Sequence, residues 1–324
     1  MVKWFWLACL GCATLFAQDR TEWMRTARWG VMTHYLSDLA LRDTPPSVEA
    51  WNRVVDAFDA QGLAQEIADT GAGYYLITIG QNSGYFLAPN PAYDRITGIR
   101  PSHCSRRDLV ADVAAALAKR GVRMLVYLPT GAPDRDPAAM AALEWKRGAY
   151  PNREFQAKWE QVVRDWSLRW GTRISGWWFD GAYWPNTMYR SPQPPNFASL
   201  AAAARAGNPA NIVTFNRGVI YPILTMTEQE DYTAGEINEP DRVNPRRSDD
   251  GRIDGARLHM LSYLGENWGR GSPRFTDEQA AAFTRRINAA GGAVTWDVPI
   301  QPDGHIPTPF LRQLKALGQA LASK

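Results

Sequence analysis

Along the chain, short apolar runs of strand length alternate with stretches in which apolar residues return every three or four positions. Arg28–His34 (RWGVMTH), Tyr74–Gly80 (YYLITIG) and Arg123–Thr130 (RMLVYLPT) read as the first three strands, because short continuous apolar runs suit strands buried on both faces. Between them, Leu63, Ala64 and Ile67 share a helical face, and Leu109, Val113, Ala116 and Leu117 recur through Asp108–Arg120 until Gly121 stops the run. The clearest helical stripe is Phe155, Trp159, Val162, Val163, Trp166 and Trp170, ended by Gly171. A fourth strand, ISGWWFDG from Ile174, is followed by an Ala-rich helix at Phe197–Gly207 and a fifth strand at Asn211–Asn216. Tyr232–Ile237, Leu261–Glu266 and Ala293–Pro299 are weaker strand candidates, and Thr276 is placed to cap a helix running to Ala290.

Some eight strands alternating with helices over roughly 300 residues predict an α/β fold, a (β/α)8 TIM-like barrel around a parallel sheet. Neither an internal repeat nor a low-complexity linker divides the chain. The Pro-rich pieces at Thr44–Pro46 and Ser191–Pro195 read as loops, so a single domain is expected over residues 18–324.

The first 17 residues stand apart. Lys3, an apolar stretch from Trp4 to Phe16 and the small Ala17 make a secretory signal, too short to span a membrane. A secreted or periplasmic location follows; lipid anchoring through Cys12 is the weaker alternative, because Cys9 sits where a lipoprotein motif usually has an aliphatic residue. The mature chain then keeps Cys104 as its single cysteine, so an intrachain disulfide framework is excluded.

Composition narrows the chemistry. The formal charge of +3 over 324 residues, with basic residues scattered, leaves no nucleic-acid footprint. Fourteen tryptophans are many for this length; most should be core, with some left to pack against sugar rings. The histidines at 34, 103, 259 and 305 lack zinc-ligand spacing, and no phosphate loop or GxSxG elbow is present, so neither metal nor cofactor is expected.

In such a barrel, function gathers where strands end. His34, Gln81, Asn82, Asp180, Asn216, Arg217, Glu236, Glu266 and the Trp296–Asp297 pair occupy those positions. Asp180 closes an aromatic strand directly before a glycine, and Glu236 lies two strands later. Cleavage of a glycosidic bond needs two carboxyl groups, one at the anomeric carbon and one passing a proton to the leaving oxygen. A strand-end Asp before Gly is also a common turn former, and this reading alone leaves both roles open for Asp180.

Ordered motifs then add to these residues. WMRTARWGVMTH resembles an opening strand with the pattern FGIFIHW, FDAQGLAQEIADTGAGYYLIT resembles the helix and strand that follow it, and RRDLVADVAAALAKRGVRMLVYL resembles a D-L-V helix with its strand. WWFDG resembles a nucleophile strand and GGAVTWDVPIQPDGHIP a closing signature. Together, from about Trp23 to Leu321, the chain resembles glycoside hydrolase family 29, the α-L-fucosidases. The resemblance implies that Asp180 is the nucleophile of a retaining double displacement, that Glu236 in DYTAGE is the acid/base, with Glu230 or Glu239 as alternatives, and that His34 and Arg217 contact the sugar. Tyr35, Gln81, Asn82, Tyr127, Trp184 and Trp296 complete the expected substrate contacts, and Asn267–Gly269, similar to the family's S-W-G element, is read as structural first.

The chain departs from the family pattern at Gln81, Asn82 and Ser83, which stand where the family has His-His-Asp, and at Tyr35, which stands in place of Trp. From this sequence no β-sandwich of the kind that family members usually append after the barrel is expected. Replacing two polar contacts of about 1 kcal/mol each shifts specificity by tenfold or more. The expected activity is therefore a secreted retaining exo-glycosidase acting on an α-L-fucoside or a related sugar, with an oligosaccharide or glycoside as its substrate, no nucleic acid and no membrane span, and the oligomeric state left open. The competing expectation is a sugar-binding barrel that has lost catalysis.

Overall fold

Runs rich in β-branched and aromatic residues pair side by side in a computed structural model that describes residues 19–41, 44–146, 151–182, 188–243 and 250–322. The expected signal segment, Cys12 and Trp184 lie outside these residues. The strands are β1 (Trp29–Thr33), β2 (Tyr74–Thr78), β3 (Arg123–Pro129), β4 (Gly176–Asp180), β5 (Ile212–Phe215), β6 (Arg252–Ile253), β7 (Ala256–Arg257), β8 (His259–Tyr263) and β9 (Ala293–Val298). Seven of them form one sheet in the order β5-β4-β3-β2-β1-β9-β8, every pairing parallel. β6 and β7 make a small antiparallel hairpin. Helices connect the strands, and the apolar stripe of Arg153–Trp170 is buried along its length. Thr276 does cap its helix, in a capping box with Gln279.

The sheet curls as a TIM-like barrel, and the segment expected as a strand at Tyr232–Ile237 spans the opening between β5 and β8. It bonds to both edges: Asp231 N donates to the Val213 carbonyl (2.9 Å), Ile237 N to Leu261, and Leu261 N to Gly235 (2.9 Å each). It is nevertheless no regular strand. Gly235 has φ +62°, and two edge amides of β5 find carboxylates instead of backbone carbonyls, Val213 N on Asp231 Oδ2 (2.8 Å) and Phe215 N on Glu230 Oε2 (3.4 Å).

Strand alternation sorts side chains into two layers. Met32, Tyr74, Leu76, Leu125, Tyr127, Trp178, Ile212 and Leu261 fill the barrel interior, with Met24 beneath them. Val31, Tyr75, Ile77, Val126, Leu128, Trp177, Phe179, Val213, Val294 and Trp296 face the helices. The same parity carried to the strand ends sends His34, Asp180, Asn216 and Asp297 inward.

Gly235 holds the conformation that delivers Glu236. A Cβ there would lie 1.9 Å from the His259 carbonyl oxygen at a positive φ. Gly235→Ala should cost about 2–4 kcal/mol in urea unfolding and reduce activity in whatever fraction still folds.

Candidate active site

The strand ends enclose a cavity of about 230 Å³ lined by His34, Gln81, Tyr127, Trp178, Asp180, Glu236, Trp268 and Arg270, with Asp38, Arg135 and the apolar Met32, Leu36, Leu39 and Leu261. Each polar group has a different structural support. His34 follows β1, Gln81 follows β2, Tyr127 lies within β3, and Asp180 ends β4. Glu236 comes from the irregular closing segment. Trp268 and Arg270 stand on the turn after β8.

One amide joins the two carboxylates. Asn216 Nδ2 donates to Asp180 Oδ1 at 2.8 Å and to Glu236 Oε2 at 2.6 Å, while its Oδ1 accepts from Gly218 N at 2.9 Å. Because the Gly218 amide needs an acceptor, the NH2 side of Asn216 must face the carboxylates. The two acceptor oxygens can be no farther apart than the two bonds laid end to end, a ceiling of about 5.4 Å. Asp180 Oδ2 accepts from Tyr127 (2.5 Å), whose hydroxyl in turn accepts from Gln81 Nε2 (2.7 Å). Across the cavity His34 Nδ1 bonds Asp297 Oδ1 at 2.8 Å, leaving Nε2 for the cavity. Aromatic rings wall the site: Tyr127 stacks on Trp178 at 5.3 Å, and Trp268 lies 6.0 Å from His34.

Burial, followed by the charge of Asp180, pushes the Glu236 carboxyl up to about 7, against the Asn216 hydrogen bond and His34. Burial works against a charged His34, but Asp297, Asp180 and Glu236 outweigh it and move its pKa upward. Glu230 is also pushed up to about 7 by burial, yet it does not line the cavity; its oxygens take Thr214 Oγ1 (2.8 Å) and the amides of Met226, Thr227 and Phe215. Glu239 and Glu266 are exposed and outside the cavity. Glu236 alone among the glutamates considered shares the cavity with Asp180.

The structure thus brings together His34, Gln81, Tyr127, Asp180 and Glu236. It corrects two expected sugar contacts. Tyr35, one residue after His34, has the opposite parity and sits in the core, its hydroxyl on the Pro302 carbonyl at 2.6 Å. Trp296 points to the helix layer, bonding Thr284 Oγ1 at 3.0 Å, and its neighbour Asp297 is the inward residue. Asn82 and Arg217 are half-buried and do not line the cavity; the Asn82 carbonyl accepts from Arg135 N. Sequence reasoning passed over Asn216 and Asp297, although both stood among the strand-end polar residues, and treated Trp268 as structural first, whereas it lines the cavity.

A parallel α/β barrel that gathers two carboxylates within a few ångström in an aromatic-walled cavity is the framework of a glycoside hydrolase. The α-L-fucosidase family model matches residues 47–324. The chain belongs to the α-L-fucosidase family and is a glycoside hydrolase. No curated protein matches it. Among solved structures it is similar to an endo-fucoidan hydrolase from glycoside hydrolase family 107 (17% identity, TM-score 0.71, 93% of each chain covered). It is also similar to α-L-fucosidase isoenzyme 1 from Paenibacillus thiaminolyticus (17%, 0.68, 94% of this chain and 76% of that one) and to an α-L-fucosidase from Lactobacillus casei in complex with α-L-fucose (15%, 0.62, 93% and 98%). It spans 53% and 64% of two further family 107 enzymes. At these identities the likeness speaks for the fold alone.

The raised Glu236 pKa makes stability depend on pH. The folded state holds this proton more tightly than an ordinary carboxyl does, so the contribution is full below about 4.5 and is lost as pH rises through about 7. Glu236→Gln should therefore melt higher than the native protein at pH 8, by an amount on the order of 1–3 kcal/mol, and show no gain at pH 4. Paired thermal melts at the two pH values check this.

Proposed function

We propose that the protein is a retaining exo-glycosidase acting on an α-L-fucoside or a sugar of related stereochemistry, with Asp180 as nucleophile and Glu236 as acid/base. The observation that carries the reading is the Asn216 amide shared by both carboxylates. The ceiling it sets on their separation agrees with the about 5–5.5 Å of retaining enzymes and falls short of the wider gap that admits a water in inverting ones. Asp180 would attack the anomeric carbon, guided by the donors Tyr127 and Asn216, while Glu236, kept protonated near neutrality, gives its proton to the leaving oxygen. The covalent glycosyl-enzyme is then released by water as the same Glu236, now a base, takes the proton back. A cavity of about 230 Å³ is smaller than the about 300–1,000 Å³ of drug-sized sites, which favours a single terminal sugar. The departure at Gln81 gives little support to a catalytically inert barrel, because Gln81 bonds Tyr127 and so remains part of the nucleophile's surroundings.

The test uses an aryl α-L-fucoside panel with proton NMR of the first-formed sugar. Retention of anomeric configuration is expected, and inversion overturns the mechanism. Asp180→Asn should abolish turnover to within detection. Glu236→Gln should lower kcat by about 10²- to 10⁴-fold on substrates with poor leaving groups, and native kcat/KM should fall as pH rises past about 7 with loss of the Glu236 proton. Native-level activity in Asp180→Asn sinks the assignment.

We also infer export through the segment ending at Ala17, on the strength of Lys3 and the apolar run behind it. Intact mass of the product recovered from an expressing cell's periplasm or medium is expected to begin near Gln18; a full-length cytosolic product overturns it.

A further inference from the structure

The turn after β8 presents two side chains to the cavity that the bond-breaking steps do not use. Asn267 and Arg270 close it as an antiparallel bridge, with Arg270 N donating to the Asn267 carbonyl at 3.1 Å. Gly269 and Gly271, at φ +60° and +82°, allow the chain to double back on either side of Arg270. The turn is also tied to the barrel. Gly269 N donates to Asp297 Oδ2, and the other oxygen of that carboxylate holds His34. A Cβ at Gly269 would lie 3.1 Å from the His34 Cβ, so the turn rests directly against the histidine. Trp268 and Arg270 are thereby held in fixed relation to the cavity floor.

Two arginines line this cavity. Arg135 is already answered, with Nη1 3.1 Å from Asp38 Oδ2. Arg270 is exposed, and among the described residues its guanidinium has neither carboxylate, carbonyl nor aromatic partner, although Glu266 belongs to the same turn. A guanidinium is a planar fork of donors that matches an oxyanion better than it matches water or a neutral hydroxyl. The floor of the cavity, by contrast, carries the carboxylates of Asp180 and Glu236. Those carboxylates repel an anion, and of the two lining guanidiniums Arg270 is the one without a carboxylate partner among the described residues.

We infer that the sugar bound in this cavity carries an anionic substituent, a sulfate ester or a carboxylate, received by Arg270 while the Trp268 ring packs beside the sugar. The inference rests on the glycosidase reading of the same cavity and deepens it to a substrate class. Arg270 takes no part in bond cleavage and sets which glycoside is held.

Calorimetry on the Asp180→Asn protein separates this from catalysis, because it needs no turnover. The probes are methyl α-L-fucopyranoside, its 2-, 3- and 4-O-sulfates, and a methyl glycoside of a hexuronic acid. At least one anionic probe should bind about tenfold or more tightly than the neutral one, with an advantage that shrinks as salt is raised. Which probe that is distinguishes sulfate from carboxylate. Arg270→Gln in the same background should bring the ratio near parity, and Arg270→Lys should keep part of it. Anionic probes that bind no tighter than the neutral fucoside, or fail to bind, overturn the inference, as does a preference that survives Arg270→Gln. Lack of hydrolysis by the native protein would instead count against the glycosidase reading and leave these binding ratios standing.

Discussion

Two carboxylates this close in a half-buried cavity repel each other, and the side-chain amide of Asn216 is what allows them to coexist. A primary amide has two hydrogens on one nitrogen, enough to serve Asp180 and Glu236 at once. The Gly218 amide claims the oxygen of the same side chain, so Asn216 cannot turn over without leaving a donor unmet. Spacing, orientation and proton location follow together. Burial and the neighbouring Asp180 carboxylate together favour keeping a proton on Glu236.

Reaching that geometry requires the barrel to be irregular at one place. Were the closing segment a regular parallel strand, its pairing to β5 and β8 would set Glu236 by the pleat alone. Instead Gly235 turns through a positive φ, its carbonyl still accepting from Leu261. The β5 edge is satisfied by the side chains of Asp231 and Glu230. Glu230 is thus a structural carboxyl whose high pKa comes from burial under a loop. A perturbed pKa identifies a site only when the group also faces a cavity, and Glu236 meets that condition where Glu230 does not.

The layer structure was legible from apolar periodicity, and with it the inward direction of Asp180, two residues beyond the interior Trp178. Six of the eight expected strands follow the runs that announced them, and a seventh, expected at Leu261–Glu266, is shifted to His259–Tyr263. The eighth, Tyr232–Ile237, falls in the right place but not in regular form, since side-chain acceptors in place of backbone ones leave no mark in a hydropathy pattern. Resemblance to the fucosidase family pointed to Tyr35 and Trp296, yet period-two alternation around His34 and Asp297 already placed both on the outer face. The roles of Asn216 and Asp297 were not legible, because each depends on residues brought together from separate strands: Asn216 spans partners 36 and 20 positions away, and Asp297 reaches His34 from 263 positions.

The cavity residues fall into two hydrogen-bonded groups of supports. Asp180, Asn216, Glu236, Tyr127 and Gln81 form one connected hydrogen-bond set hung on β2 to β5 and the closing segment. His34 and the Trp268–Arg270 turn form another, joined through the fully buried Asp297 on β9. Gln81 illustrates the consequence. As the donor to the Tyr127 oxygen, it leaves that hydroxyl's single hydrogen for Asp180, so a change at this position acts first on the surroundings of Asp180. Changes in the Asp297 set act on what lies over the floor. The two sets still meet across the cavity, where the His34 and Tyr127 rings lie 6.0 Å apart and His34 and the two carboxylates act on one another through charge, so a change in one set is felt by the other.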